Sequence, residues 1–172
     1  HGGPPTGQVS NTTTGFPVTG SLGTGTARFI FATLGGAISA WTPAAEATDS
    51  VVVASPPGAS YTGLTMINTP SGPELLAANF AQGRIDVFDS SFHLLTTPRL
   101  FRGVNIPKGF APFNVQALGN FVYVAYAKVD PATGRSVDGR GLGFVTRFTL
   151  DGKHWKRIAA RGELNAPWGL AL

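Results

Sequence analysis

One short pattern recurs four times along the chain: a turn residue, a small or amide residue, then an apolar exit. It is written Pro5-Thr6-Gly7-Gln8-Val9, Tyr61-Thr62-Gly63-Leu64-Thr65, Ala111-Pro112-Phe113-Asn114-Val115 and Ala166-Pro167-Trp168-Gly169-Leu170. Aligning Gly7, Gly63, Asn114 and Gly169 gives spacings of 56, 51 and 55 residues. A repeat of that length is the size of one supersecondary unit, which buries its apolar faces only by stacking on its neighbours.

Each interval carries the same succession of strand signals. In the first, Phe29-Ile30-Phe31-Ala32-Thr33 turns through Gly35-Gly36 into Ala37-Ile38-Ser39-Ala40-Trp41, and Val51-Val52-Val53 follows. The second runs Leu75-Leu76-Ala77-Ala78-Asn79, a turn at Gln82-Gly83, then Arg84-Ile85-Asp86-Val87-Phe88-Asp89. Residues 84–89 alternate polar and apolar side chains, the period of a half-buried strand. In the third, Val122-Tyr123-Val124-Ala125-Tyr126 leads through a long excursion to Phe144-Val145-Thr146-Arg147-Phe148, and Asp151-Gly152 marks a hairpin into Lys156-Arg157-Ile158-Ala159. The expected fold class is therefore all-β: a β-propeller of four-stranded antiparallel blades. Its repeats span about 5–60, 61–110 and 111–165, with the first strand of a further blade at 166–172. Closing such a ring takes about four to eight blades. Three blades and a strand leave it open, so the expectation is that further blades, or a second copy of the chain, complete it. The alternative is a self-contained sandwich or barrel, which also uses short, evenly spaced strands.

Composition agrees with many strands and turns. The 172 residues include 23 Gly and 13 Pro, with 13% charged, and the 42% hydrophobic content is enough for one sizeable core. With no cysteine there is neither a disulfide framework nor a thiolate site. No run approaches the roughly 18 apolar residues of a membrane span, and the opening HGGPPTG has neither the basic nor the apolar region of a signal peptide. The chain does not begin with Met, and upstream sequence is expected.

The net charge of +4 is unevenly spread: residues 1–98 carry two basic and five acidic side chains, residues 99–172 eleven and four. These Lys and Arg are scattered singly or in pairs through strand-like segments and read as solvated strand faces. The densest group, Lys153, His154, Lys156, Arg157 and Arg161, has only Trp155 for stacking, so no nucleic-acid partner is expected.

The segments ARFIFATLGGAISAW, LLAANFAQGRIDVFDSSFHLL, GFAPFNVQALGNFVYVAYAKVD and LNAPWGLAL resemble a family of secreted, uncharacterised six-bladed β-propellers of bacteria and plants, and more distantly NHL-type and gluconolactonase-type repeats. The resemblance implies an extracellular location and a chain longer than this one. It brings no catalytic residues, and the related propellers include lyases, lactonases and protein- or RNA-binding platforms.

Propellers commonly bind ligands at the mouth of the central channel. Asn114 stands where the other repeats have Gly, so its amide could ligate Ca²⁺ or orient a ligand, or it could bond the neighbouring backbone. Asn79 and Thr33 end equivalent second strands and are either ligand contacts or turn caps. Trp168 joins them as a ligand-binding candidate. A lactonase-like metal site needs a carboxylate on the axis. Glu74, Asp86 and Asp89 are poorly placed for it: Asp86 is expected to point outward between apolar neighbours, and Asp89 caps the turn before Ser90-Ser91. His1, His93 and His154 share no zinc spacing.

The long loop 130–143 offers Asp130 and Asp138 as weak metal ligands, without EF-hand spacing, and Arg135 and Arg140 as an anion or protein contact. Its glycines lack the Lys-Ser/Thr ending and strand-to-helix setting of a phosphate loop. Asn11-Thr12-Thr13 fits the N-glycosylation pattern. No Gly-x-Ser-x-Gly elbow is present.

The expected function is an extracellular binding or interaction platform for a protein or carbohydrate ligand, without recognisable catalytic machinery and with no cofactor beyond a possible Ca²⁺. The alternatives are a metal-dependent lactonase- or esterase-like hydrolase sited at the central channel and a lectin-like propeller using Trp41, Tyr61, Phe113 and Trp168.

Overall fold

The computed structural model describes residues 3–96, 100–102 and 105–171. Among these the fold is all-β, and every paired strand is antiparallel. The first sheet takes β1 (Pro5–Ser10), then, after a separate hairpin of β2 (Pro17–Gly20) and β3 (Gly23–Thr26), β4 (Phe29–Thr33), β5 (Ile38–Trp41) and β6 (Val51–Ala54). The second takes β7 (Tyr61–Thr69), β8 (Gly72–Asn79), β9 (Arg84–Phe88) and the short β10 (Leu94–Leu95). The third takes β11 (Phe110–Leu118), β12 (Phe121–Val129), β14 (Gly143–Thr149) and β15 (Trp155–Ala160) in that order, with β13 (Ser136–Val137) laid against the end of β12. Within every sheet the strands pair in chain order, with the β2–β3 hairpin inserted between β1 and β4 and the loop 130–143 between β12 and β14.

The first strands of the three sheets carry the sequence repeat, and each is bulged at it. The register slips between Pro5 and Gly7 in β1, between Tyr61 and Leu64 in β7, and between Pro112 and Asn114 in β11. A bulge puts two residues opposite one and bends the strand, which is why the repeat reads as a turn residue beside a small one. β7 lies against β1 on one side and β11 on the other. At the bulges the strands come so close that a Cβ on Gly7 would stand 2.6 Å from the Leu64 amide nitrogen, and one on Gly63 would collide with Asn114 Oδ1. Glycine is there because the neighbouring strand occupies the space a side chain would need.

The bulges also set a common register. Thr33, Asn79 and Tyr126 pair opposite the residue before the slip, so Phe29 and Phe31 correspond to Leu75 and Ala77 and to Val122 and Val124. Leu75 and Ala77 pack into one core with Ile30, Ala32, Ile38 and Ala40 of the first sheet. Val122 and Val124 pack into another with Leu76, Ala78, Ile85 and Val87 of the second. The sheets therefore stack in one sense, each laying the same face on the sheet before it. Phe29 and Phe31, on that face of the first sheet, are only half-buried, with Phe29 stacked on Trp41 at a ring separation of 6.1 Å. On the far face of the third sheet, Arg147 lies 4.0 Å above the Phe121 ring.

Among the described residues the β2–β3 hairpin has no counterpart in the other intervals. It brings Phe16 and Val18, both buried, into the core between the first two sheets, where Phe16 packs on Phe92 at 5.2 Å.

The middle sheet corrects the expectation for Asp86. Alternation along β9 predicts one inside and one outside face, but both faces of this sheet are covered: Ile85 and Val87 face the third sheet, and Asp86 faces the first at 3% exposure. Its carboxylate is fully engaged. Oδ2 accepts from the Tyr61 hydroxyl at 3.0 Å and Asn79 Nδ2 at 2.7 Å, and Oδ1 accepts from Arg84 Nε at 2.6 Å. Burial, reinforced by the Asp86 charge and hydrogen bond, pushes the Tyr61 hydroxyl well above its ordinary pKa, so it stays a neutral donor.

Two tests follow from this packing. Gly7→Ala should destabilise the protein by about 2–4 kcal/mol because backbone must move, whereas Gly169→Ala, whose new methyl has no atom within 4 Å among the described residues beyond its chain neighbours, should stay within about 0.5 kcal/mol of the parent. Asp86→Ala should cost about 3 kcal/mol by removing the buried acceptor that Tyr61, Asn79 and Arg84 share, and Tyr61→Phe about 1 kcal/mol. Urea denaturation midpoints measure both pairs.

Candidate functional site

The close approach of β1, β7 and β11 opens a cleft of about 480 Å³ beside the bulges. Its walls are residues 5–8, Phe31, Leu64, Asn114, Gln116 and the segment 168–170. All four copies of the repeat meet here, and hydrogen bonds tie them together. Thr6 Oγ1 donates to the Tyr61 carbonyl at 2.8 Å, Trp168 Nε1 to the Thr62 carbonyl at 2.8 Å, and Asn114 Nδ2 to the Trp168 carbonyl at 2.5 Å.

Asn114 sits at the bulge of β11 and is 8% exposed. Besides holding Trp168, it accepts the Val115 amide on Oδ1 at 2.8 Å, so both ends of the side chain serve backbone groups. The amide fills the room left by the missing side chain of Gly63 and anchors the segment that follows the third sheet. What is left for a ligand is the second Nδ2–H and the second lone pair of Oδ1. Trp168 is oriented from both sides, through its indole N–H and its carbonyl, yet remains 49% exposed. An indole fixed in place with half its surface open is a ready stacking platform.

The structure thus brings Asn114 and Trp168 together and sends the other two ligand-binding candidates into turns. Thr33 Oγ1 accepts the Ala37 amide at 3.1 Å across the Gly35-Gly36 turn. Asn79 is fully buried; its Oδ1 accepts from the Ser60 and Gln82 amides, and its Nδ2 donates to Gln82 and Asp86. Neither lines the cleft.

Two residues that the sequence does not mark as site candidates line it: Gln8, exposed on β1, and Gln116, half-buried on β11. Neither side chain has a hydrogen-bond partner among the described residues. The signal for Gln8 was its place inside the repeat, directly after the bulge glycine. Among the described residues lining the cleft there is no carboxylate, imidazole or amine. What it offers is amides, strand backbone and an indole face, groups that bind by hydrogen bonding and stacking.

Elsewhere, Asp130 Oδ1 accepts the Ala132 amide at 2.8 Å. That bond, with further ones from Thr133, holds its carboxyl below the usual aspartate range. Asp130 and Asp138 share the loop 130–143, and no group of three or more metal-ligating side chains comes together among the described residues. His93 and His154 are exposed, and His1 lies outside the described residues. Of the aromatics considered for sugar binding, Tyr61 is core, Phe113 packs on Phe80 at 5.2 Å, and Trp41 is half-buried on the first sheet. The Asn11 amide nitrogen already donates to the Gly15 and Ala27 carbonyls. No helix among the described residues is long and apolar enough to cross a membrane.

No family model matches the chain. It is similar to uncharacterized proteins of Acanthamoeba polyphaga mimivirus. One is 30% identical over 170 residues, which is 96% of this chain and 42% of the relative. Another is 32% identical over 163 residues, 90% of this chain and 30% of the relative. A third is 39% identical over 114 residues, 64% of this chain and 29% of the relative. The chain spans less than half the length of each of these relatives.

Proposed function

We propose that the three sheets are blades of a β-propeller and that the protein is an extracellular binding platform whose ligand enters the cleft beside the bulges. Two observations support the propeller reading. The sheets repeat one register and stack in one sense, and the faces that carry Phe29 and Phe31 at one end and Phe121 and Tyr123 at the other are those that the same stacking covers elsewhere. The greater length of the relatives leaves room for further blades to cover them. The kinship with a secreted propeller family, and with it the location outside the cell, rests on the sequence resemblance alone.

The observation that carries the binding reading is the half-exposed, doubly anchored Trp168 in one cleft with the unpaired amides of Gln8 and Gln116. An aromatic face bordered by amides is the chemistry of carbohydrate and peptide recognition: the ring covers an apolar patch while the amides pair with hydroxyls or backbone. A lactonase-like hydrolase would need carboxylate ligands that the described cleft residues do not supply.

A glycan and peptide array probed with the protein, followed by Trp168→Ala and the double variant Gln8→Ala/Gln116→Ala, tests this. Binding weakened about tenfold or more by each variant is the expected result. Parallel incubation with lactones and esters in the presence of Ca²⁺ should give no turnover. Bound divalent metal together with turnover that disappears in Asn114→Ala would replace the binding platform with the hydrolase.

A further inference from the structure

The loop 130–143 and the end of the third sheet enclose a second pocket, of about 420 Å³, apart from the cleft. Four of its lining residues are cations: Lys128 from β12, Arg140 from the loop, Arg157 from β15 and Arg161 just beyond it. Among the described residues no carboxylate lines it. The loop is pinned over the pocket by the Gly139 amide, which donates to Asn165 Oδ1 at 2.6 Å, and by an ion pair between Arg140 and Glu163.

That ion pair accounts for Arg140 only. Lys128, Arg157 and Arg161 have no carboxylate partner among the described residues. Arg157 is held in place rather than left free: its guanidinium lies 4.2 Å above the Phe144 ring, and one terminal nitrogen donates to the Asn105 carbonyl at 3.1 Å. Its Nε is buried and finds no hydrogen-bond acceptor among the described residues. Gathering like charges around one concavity is unfavourable, and leaving a buried guanidinium N–H unpaired adds to the cost. An oxyanion in the pocket offsets the gathered positive charge.

We infer that this pocket is a binding site for a tetrahedral oxyanion group, a phosphate or sulfate ester, with Arg157 and Arg161 supplying forked donors and Lys128 a point charge. Guanidinium forks match the oxygens of such a group, and the ammonium adds charge without demanding geometry. The walls come from the third sheet, its loop and Pro107, so the site stands independently of the cleft and of how the open sheet faces are covered.

Calorimetric titration of the 172-residue protein with phenyl phosphate and phenyl sulfate, at low ionic strength against a chloride background, tests the inference. At least one should bind, and whichever binds more tightly identifies the ester. Lys128→Gln and Arg161→Gln, each checked for folding by circular dichroism, should each weaken binding about fivefold or more. Lys156→Gln removes the same charge outside the pocket and should change affinity by less than about twofold, the long-range field being screened. The proposal is overturned if neither ester binds at about 10 mM. It is overturned equally if Lys156→Gln costs as much as the pocket variants, because binding would then report only the overall positive charge.

Discussion

The arrangement depends on the contact between neighbouring first strands at their bulges. β1, β7 and β11 approach so closely that Gly7 faces the backbone of Leu64 and Gly63 faces Asn114. Close packing of backbone against backbone leaves little freedom for the sheets to slide, so one contact fixes the register in which their faces stack. The same contact brings the four repeat segments to one place and creates the cleft between them. Asn114 extends the logic by one step: an amide takes the glycine position and reaches the backbone of the segment that follows.

Burial on both faces follows from that stacking, and it changes what a polar residue in a strand means. Asp86 alternates with Ile85 and Val87 as a solvent-facing residue would, yet both faces of β9 are interior. Keeping a carboxylate there requires the donors of Tyr61, Asn79 and Arg84. The cluster is structural in character: every oxygen of the carboxylate is occupied, and the groups that occupy it lie in the turn and strands of the same sheet.

The two binding regions differ in chemistry as they differ in place. The described residues of the cleft are uncharged and offer amides and an indole; the second pocket is cationic and bordered by the long loop. The basic surplus of residues 99–172 is partly explained by the pocket, because Lys128, Arg140, Arg157 and Arg161 come from points spread over more than thirty residues of sequence and meet around one concavity. Read along the chain they are isolated charges on strands. Only the pairing of β14 with β12 and β15, and the return of the loop, makes them a group.

What the sequence determined by itself was the local grammar: the recurrence at some fifty residues, the order of strands in each interval, and the turns at Gly35-Gly36, Gln82-Gly83 and Asp151-Gly152. These rest on backbone conformation and on the two-residue period of a strand, which neighbouring residues specify. The tertiary structure alone decided which face of each strand is covered and by what. It turned Asp86 inward, brought Gln8 and Gln116 to the cleft, and inserted the β2–β3 hairpin into the core. The physical reason is that an alternating pattern distinguishes two faces without saying what lies beyond either, and that knowledge comes only from the sheets packed against them.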